Sequence, residues 1–268
     1  MHLLQAQPGA VADGSSAVDL GQTPGDIVFL SAADTELASL ANARRTLDES
    51  FPSLRLANLM QLSHNASVDL YCDTVIEHAK LVIARLLGGR SYWPYGVEQL
   101  QDICGRRSIS LVLLPGDDQP DPELIAASSV APDIYHRLWQ YLVHGGGENA
   151  GQFLRFAASQ VGVGFDWTEP VALPRAGIYW PGAKQLDLDQ LQKNHWMADC
   201  PVAGIVFYRA LVQADNLAPV DALVEALKEQ RVNALPIFCA SLKETVSASV
   251  VETLLVDAEV SAVLNASG

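Results

Sequence analysis

The sequence is poor in positive charge. Of its 268 residues, 17 are lysine or arginine and 31 are aspartate or glutamate, which gives a net charge of −14 and a sequence pI near 4.7. Proteins that bind nucleic acid or anionic membrane surfaces use clustered lysines and arginines for that contact. This composition argues against both, so we expect neither nucleic acid nor membrane among the partners.

Membrane, secretion and disulfide signals are also missing. No run reaches the ~18 apolar residues that a membrane-spanning helix needs, and residues 1–5 lack the basic start of a secretory signal. The cysteines, Cys72, Cys104, Cys200 and Cys239, stand far apart in the sequence. This spacing favours reduced thiols over a disulfide framework or a zinc site. We expect a cytoplasmic protein with no metal or cofactor bound to this chain itself.

The sequence lacks a recognisable nucleotide-binding motif. No glycine-lysine pair occurs, so the phosphate-binding loop of ATPases is absent. Residues 145–150 match the glycine pattern of dinucleotide-binding loops, but they follow a predicted helix and not a strand. One helix that ends at Gly145 and another that begins at Glu148 or Asn149 explain these residues better.

What the sequence does contain is enough apolar residues, 49%, to bury a sizeable core. Short apolar runs alternate with amphipathic segments, a pattern that predicts βαβ units and parallel sheets. The predicted strands occupy residues 26–30, 54–59, 80–85, 108–114, 176–180, 202–208, 233–240 and 259–265. The helices between them are predicted to begin at Asp34, Ser67, Val97, Leu186, Pro219 and Val246.

The alternation stops between residues 121 and 161, where three helices are predicted at 121–127, 132–143 and 148–161. The expected fold is therefore α/β, with two doubly wound parallel-sheet lobes and a helical insertion between them. We place the first lobe at 1–118, the insertion and linker at 119–172, and the second lobe at 173–268.

The last predicted strand has no helix after it to cover its sheet. We expect either a fragment of a longer polypeptide, with an incomplete second lobe, or a strand at a sheet edge.

Residues 86–96 form the most distinctive loop, because they leave a predicted buried strand and carry an arginine and three aromatic residues. Ligands of open α/β sheets bind at the carboxyl ends of the strands. Arg90, Trp93 and Tyr95 are therefore binding candidates, and Tyr208 with Arg209 repeats the pairing after a later strand. Arginine pairs with carboxylates and stacks on aromatic rings, so a flat, carboxylate-bearing ligand would suit both loops. The alternatives are that the aromatics only cover the sheet edge, and that Arg209 pairs with a helix end.

The six histidines include none at metal-ligand spacing. His64 and His144 could ligate or transfer a proton, but a solvated or capping role is favoured. Ser31, Asp34, His64 and Ser67 suggest a hydrolytic triad, yet no G-x-S-x-G elbow supports it. We therefore assign no catalytic residue from the sequence.

Several segments carry a resemblance to a known family. They are residues 31–34, 56–59, 86–96, 115–118, 144–149, 204–209 and 218–223. Together they resemble the amino-terminal region of the large subunits of the CobN/magnesium chelatase H-subunit family. The resemblance covers nearly the whole chain from about Val18, and it implies that family members are several times longer.

The resemblance implies a ligase, the large subunit of an ATP-dependent cobaltochelatase. Such an enzyme inserts cobalt, its substrate metal, into the corrin precursor hydrogenobyrinic acid a,c-diamide in aerobic cobalamin biosynthesis. AAA+ ATPase partner subunits would hydrolyse the ATP, and this chain alone is expected to be inactive. The candidates for ligand contact or a domain interface are Arg90, Trp93, Tyr95, His144, Glu148, Asn149, Tyr208 and Arg209. The alternatives are a non-catalytic ligand-binding or subunit-docking module, and the equivalent subunit of magnesium chelatase.

Overall fold

Two four-stranded sheets organise the chain, one in each of two units that comprise residues 1–171 and 172–268. The computed structural model describes residues 4–5, 16–183 and 186–267. The expected α/β fold is confirmed, with strands and helices alternating in both units. No helix within these described ranges is long and apolar enough to cross a membrane.

The sheet of the first unit is entirely parallel, as predicted, with the strand order β4-β3-β5-β6. Its strands are β3 (Ile27–Ser31), β4 (Leu54–Asn58), β5 (Leu81–Leu86) and β6 (Ser110–Pro115). A separate short pair is formed by β1 (Leu4–Gln5) and β2 (Val18–Asp19). The helices are α1 (Asp34–Arg45), α2 (Asn65–Thr74), α3 (Pro94–Arg107), α4 (Pro122–Ala127), α5 (Pro132–His144) and α6 (Gly146–Gln160).

Helices cover both faces of this sheet, because successive strand residues point to opposite sides. Val82 and Ala84 of β5 pack on the face covered by α2 and α3. Leu81 and Ile83 pack on the other face, against α1, α5 and α6. The helical segment after β6 therefore completes the core of the first unit.

The sheet of the second unit has the order β10-β8-β9-β7. Its strands are β7 (Ala176–Ile178), β8 (Val202–Tyr208), β9 (Asn233–Cys239) and β10 (Ala262–Asn265). Its helices are α7 (Leu188–His195), α8 (Arg209–Gln213), α9 (Ala218–Glu229) and α10 (Thr245–Asp257). In this unit, α9 packs on one face of the sheet, and α7 and α10 pack on the other.

One strand departs from the parallel arrangement that the sequence predicted. β7 runs antiparallel to β9, whereas β8, β9 and β10 are mutually parallel. A helix, α7, lies between β7 and β8 in the sequence, so the alternation of strands and helices was equally compatible with a parallel strand here. The last strand, β10, lies at a sheet edge, which was one of the two expected outcomes.

Helix starts differ from the sequence prediction where the capping residue is unusual. α2 begins at Asn65 and not near Ser67, because Nδ1 of His64 accepts a hydrogen bond from the backbone N–H of Ala66 at 3.1 Å. Histidine is not among the preferred caps, so the helix start was placed at Ser67 although a capping role was considered for His64. Ser67 lies inside the helix, where its Oγ accepts a hydrogen bond from Val18 N–H at 2.7 Å. The capping role favoured for His64 is confirmed.

The fully buried centre of β5 should dominate the stability of the first unit. Replacing Ile83, which is 0% exposed, by alanine leaves a cavity between the sheet and the helices. We expect a loss of roughly 2–5 kcal/mol in the free energy of unfolding, measured by urea denaturation. Leu87→Ala is the control, since Leu87 is 57% exposed and should change stability by less than about 0.5 kcal/mol. Equal effects of the two substitutions would contradict this assignment of the core.

The amino ends of three strands are joined by Asp26. Its carboxylate pairs with Lys80 at 2.8 Å and accepts a hydrogen bond from the Ser53 hydroxyl at 2.6 Å. The bond from Lys80, followed by those from Ser53, lowers the pKa of Asp26 from 3.8 to about 2.

A lowered carboxyl pKa stabilises the fold above the unfolded value, and that stabilisation is lost as the pH falls through the folded value. The unfolding free energy should therefore decrease between pH 3.8 and about 2 more steeply in the unaltered protein than in Asp26→Asn. Lys80→Met should flatten the dependence too, because Lys80 is the main cause of the shift. Parallel curves in a urea-denaturation series across this pH range would refute the assignment.

Candidate functional site

The topology of the first sheet creates a crevice at its carboxyl edge. β3 and β5 are neighbours, but α1 follows β3 on one face and α3 follows β5 on the other. The chain therefore passes to one face of the sheet after β3 and to the other face after β5, which leaves a crevice between the two strand ends. Ligands of open α/β sheets usually bind in such a crevice. The residues at this point are Ser31 at the end of β3 and Arg85 near the end of β5.

A buried ion pair fills the base of this crevice. Arg85 is 7% exposed, and its Nη1 contacts Oε1 of Glu36 in the first turn of α1. The other carboxylate oxygen of Glu36 accepts a hydrogen bond from the Ser31 hydroxyl at 2.7 Å. The three side chains thus connect β3, β5 and α1 through one network.

Backbone carbonyls accept the remaining hydrogen bonds of the Arg85 guanidinium. Nε donates to Pro115 O at 3.2 Å, Nη2 to Gly116 O at 3.1 Å and Nη1 to Leu142 O at 3.4 Å. Burial lowers the pKa of Arg85, while the negative charges of Glu36 and Asp117 act in the opposite direction. With donors directed to four acceptors, this arginine holds the edge together and is not placed to receive a ligand.

The loop after β5 presents different aromatic residues from those expected. Trp93 is 7% exposed, and its Nε1–H donates to Leu62 O at 2.9 Å. A side chain at Gly96 would place its Cβ 2.0 Å from the indole ring, so Gly96 is required for this packing. The Trp93 ring therefore covers the start of α3 and offers no face to a ligand, contrary to the expected stacking role.

Tyr92 is the aromatic residue that faces outward. It is 40% exposed, and its hydroxyl contacts Sδ of Met60 at 3.3 Å, in the short 3-10 turn after β4. Leu87 and Met60 are 57% and 47% exposed at the same edge. Arg90 is half-buried, and within the described residues its side chain has no hydrogen bond or ion pair. We call Met60, Leu87, Arg90 and Tyr92 the edge surface.

Tyr95 lies beside this surface but is already paired. Its hydroxyl donates to Oδ1 of Asp69 at 2.6 Å, and this hydrogen bond raises the pKa of the phenol. The bond ties the start of α3 to α2. A ligand would have to compete with Asp69 for the hydroxyl, although part of the ring remains accessible.

A cleft of about 230 Å³ separates the loops that follow β5 and β6. Its lining includes Gly88, Gly89, Asp117 and Asp121. Both glycines have positive φ, 91° and 74°, which favours residues without a side chain. None of the eight candidate residues from the sequence lines this cleft, but two of the resembling segments, 86–96 and 115–118, meet there.

The candidates at the corner between α5 and α6 have structural contacts. Asn149 is buried; its amide donates to Gly145 O at 2.8 Å and Val171 O at 2.9 Å, and accepts from Val171 N–H at 2.9 Å. The expected ligand role of Asn149 is thus replaced by a backbone clamp. His144 contacts Gln140 at 3.2 Å, and Glu148 lies exposed in the first turn of α6.

The remaining two candidates lie in the second unit, at the end of β8. Tyr208 is 41% exposed. Arg209 donates from Nε to Pro174 O and from Nη2 to Leu173 O, both at 2.8 Å. These hydrogen bonds go to an extended segment and not to the helix end that we considered as the alternative.

The sequence search missed the residues that define this edge. Arg85 was read only as the end of an apolar strand, and Glu36 was not singled out. A single charge at the end of a fully apolar run, followed by two glycines, is the signal that could have identified Arg85. Among the described residues, no group of three or more His, Cys, Asp or Glu is arranged to hold a metal ion.

Comparisons with known proteins identify the family of the chain and agree with its fold. The CobN/Magnesium Chelatase family model matches residues 139–268. Over the whole of this chain, the aerobic cobaltochelatase CobN subunits of Sinorhizobium sp and Pseudomonas aeruginosa are 46% and 44% identical. The chain belongs to the CobN/magnesium chelatase family. It spans 22% and 21% of the length of these two relatives.

A solved structure from the same family supports the architecture. The catalytic subunit of cobaltochelatase from Mycobacterium tuberculosis matches with a TM-score of 0.62 and 27% identity, over 84% of this chain and 17% of that chain. The recognition of the CobN/magnesium chelatase family from short sequence segments is therefore confirmed.

The buried ion pair between Glu36 and Arg85 should be necessary for the stability of the first unit. Glu36→Gln removes the anion but leaves the guanidinium of Arg85 buried, so we expect a loss of about 3 kcal/mol in unfolding free energy. Urea denaturation measures it, with Asp102→Asn as the control. Asp102 pairs with Arg106 on the surface of α3 at 2.8 Å, and removing its charge should cost at most about 0.5 kcal/mol. Similar losses for both variants would show that the buried pair has no special role.

Proposed function

We propose that this chain is the amino-terminal part of the large subunit of an ATP-dependent cobaltochelatase. The complete enzyme would insert cobalt into hydrogenobyrinic acid a,c-diamide in aerobic cobalamin biosynthesis. The observation that carries this proposal is the 46% identity to a CobN subunit over the full chain. In this proposal cobalt and the corrin are substrates, and separate AAA+ subunits hydrolyse ATP outside this chain.

Metal insertion requires that the macrocycle is held while its inner N–H protons leave and the metal ion loses its water. Positioning of this kind lowers the barrier because the reacting groups are already oriented. In the first unit, the edge surface has the chemistry for such contact. Arg90 can pair with a peripheral carboxylate of the ring, and Tyr92 can lie against its apolar face. Trp93 acts beneath them by fixing the loop.

A second candidate function is subunit or domain docking, and the exposure of the same surface favours it. Met60, Leu87 and Tyr92 are each at least 40% exposed, and exposed apolar clusters mark interaction sites. In this role the edge surface would be covered by another part of the enzyme, and the chain would bind no ring.

The equivalent subunit of magnesium chelatase is a third assignment, because the family model includes both enzymes.

The ring-binding role can be tested by absorbance titration of the chain with hydrogenobyrinic acid a,c-diamide. We expect a shift of the ring's absorbance bands on binding. Arg90→Ala should weaken the affinity by roughly tenfold, the value of one charge-assisted hydrogen bond. Arg45→Ala is the matched control, since Arg45 is an exposed arginine at the far end of α1, and it should leave the affinity unchanged.

The outcomes separate the two roles. A folded chain that produces no absorbance shift, or an equal loss in the Arg90 and Arg45 variants, would reject ring contact at the edge surface. The docking role would then be left, with the ring bound elsewhere in the enzyme. Trp93→Phe should lower stability without weakening ring affinity in the folded fraction, because the indole packs beneath the loop.

A further inference from the structure

A cavity of about 410 Å³ opens beside the start of β6 and the last turn of α3. It lies at the amino end of β6, whereas the edge surface lies at the carboxyl edge of the same sheet. Two of its lining side chains, Cys104 and Leu111, are only 3% and 2% exposed. Burial raises the pKa of the Cys104 thiol to about 12, so this side chain is uncharged at neutral pH. The inner wall of the cavity is therefore apolar.

The cavity exists because β6 is an edge strand that the following chain covers only in part. Ser129 Oγ accepts a hydrogen bond from Leu111 N–H, and Ser129 N–H donates to Leu111 O, both at 2.8 Å. Ser128 Oγ accepts a hydrogen bond from Leu113 N–H at 2.9 Å. These contacts close the outer edge of β6 at residues 111 and 113. The first residue of the strand, Ser110, lines the cavity instead.

Three polar side chains line this cavity without a partner. Gln101, Ser108 and Ser110 make no side-chain hydrogen bond within the part of the chain that the structure describes. A glutamine amide has N–H donors and a carbonyl acceptor in one plane, and a serine hydroxyl can both donate and accept. Small-molecule sites usually combine an apolar wall with a few convergent polar groups of this kind.

The end of α3 adds a backbone acceptor. The last carbonyl groups of a helix have no partner within the helix. Here the N–H groups of Ser108 and Ile109 both donate to the carbonyl of Cys104. Neither of them is therefore left to pair with the carbonyl of Gly105, which also lines the cavity.

Charge is excluded from the cavity wall. Among the described residues, no charged side chain lines it. The arginines in the last turn of α3 are paired elsewhere, Arg106 with Asp102 at 2.8 Å and Arg107 with Glu77 at 2.7 Å. A charged ligand would thus lose hydration without gaining an opposite charge. An uncharged ligand that both donates and accepts hydrogen bonds suits the wall better.

We propose that this cavity binds a small, uncharged aliphatic carboxamide. The amide of the ligand pairs with the amide of Gln101 through two hydrogen bonds, because each group carries a donor beside an acceptor. The second N–H of the ligand donates to the carbonyl of Gly105. Its hydrocarbon chain packs against Leu111 and Cys104.

This site is separate from the edge surface. Tyr92 precedes the first turn of α3, whereas the cavity adjoins the last turn. The helix has 14 residues, and at about 1.5 Å per residue its ends lie roughly 20 Å apart. The inference therefore goes beyond the proposed function and concerns residues that take no part in it.

A backbone-amide NMR titration of the 268-residue chain tests the site with three probes of the same shape. Valeramide is the neutral amide, valerate is its anionic counterpart and valeramidine its cationic counterpart. We expect valeramide to shift the resonances of Gln101, Gly105 and Ser110 in a saturable way. Valerate and valeramidine should bind roughly fivefold more weakly, the value of one neutral hydrogen bond, because each lacks either the donor or the acceptor.

Two substitutions separate the amide contact from the space. Gln101→Leu should weaken valeramide binding roughly fivefold and remove its advantage over the charged probes. Gln99→Leu, on the same helix but outside the cavity lining, is the matched control and should change nothing. Gly105→Leu should abolish binding, because a Cβ there meets no atom within 4 Å and the side chain extends over the cavity. Leucine also favours a helix more than glycine does, so the fold is kept.

The control for the glycine is Gly151→Leu in α6, where a Cβ also meets no atom within 4 Å. It should leave valeramide binding unchanged. The proposal is overturned by a folded chain that does not bind valeramide, or by charged probes that bind as tightly as the amide. Equal losses in the Gln101 and Gln99 variants, or full binding in Gly105→Leu, would overturn it too. Arg90 is intact in every variant, so these results do not depend on what binds at the edge surface.

Discussion

The ion pair between Arg85 and Glu36 is the constraint on which the first unit depends. A buried guanidinium is tolerated only when an anion and several acceptors satisfy it. Its partners here come from α1, from the end of α5 and from the backbone after β6. The pair therefore fixes helices on one face of the sheet relative to the strand ends. The crevice that would receive a ligand in related topologies is closed at its base by the protein's own charges.

This constraint determines where function can lie. Because the base of the crevice is occupied, the groups that can meet another molecule are those on the loops above it, Arg90, Tyr92 and their neighbours. These loops are supported from below by buried residues such as Trp93, whose indole hydrogen bond fixes the turn. Rigid support beneath an exposed surface means that little conformational entropy is lost when the surface makes a contact.

The alternation of apolar runs with amphipathic helices was enough to predict the strands and the α/β class, since burial on both sheet faces leaves a strong pattern. The direction of β7 was not predictable, because a strand followed by a helix, here α7, gives the same sequence pattern whether the strand pairs parallel or antiparallel. The candidate site was harder to predict from the sequence than the fold. Glu36 and Arg85 are 49 residues apart, so only the folded chain brings them together. In the loop after β5, a short 3-10 turn decides which aromatic points inward, and residue spacing does not reveal it.

Gly116 takes part both in the contact between the loops after β5 and β6 and in the hydrogen bonds of Arg85. A Cβ atom at this position would lie 2.7 Å from the Cα of Leu87, so the two loops touch through their backbones. The carbonyl of the same residue accepts a hydrogen bond from Arg85. A substitution at Gly116 would push the loops apart and withdraw that acceptor at once. A single inherited change there would imitate the loss of the ion pair while leaving both of its charged members in the sequence.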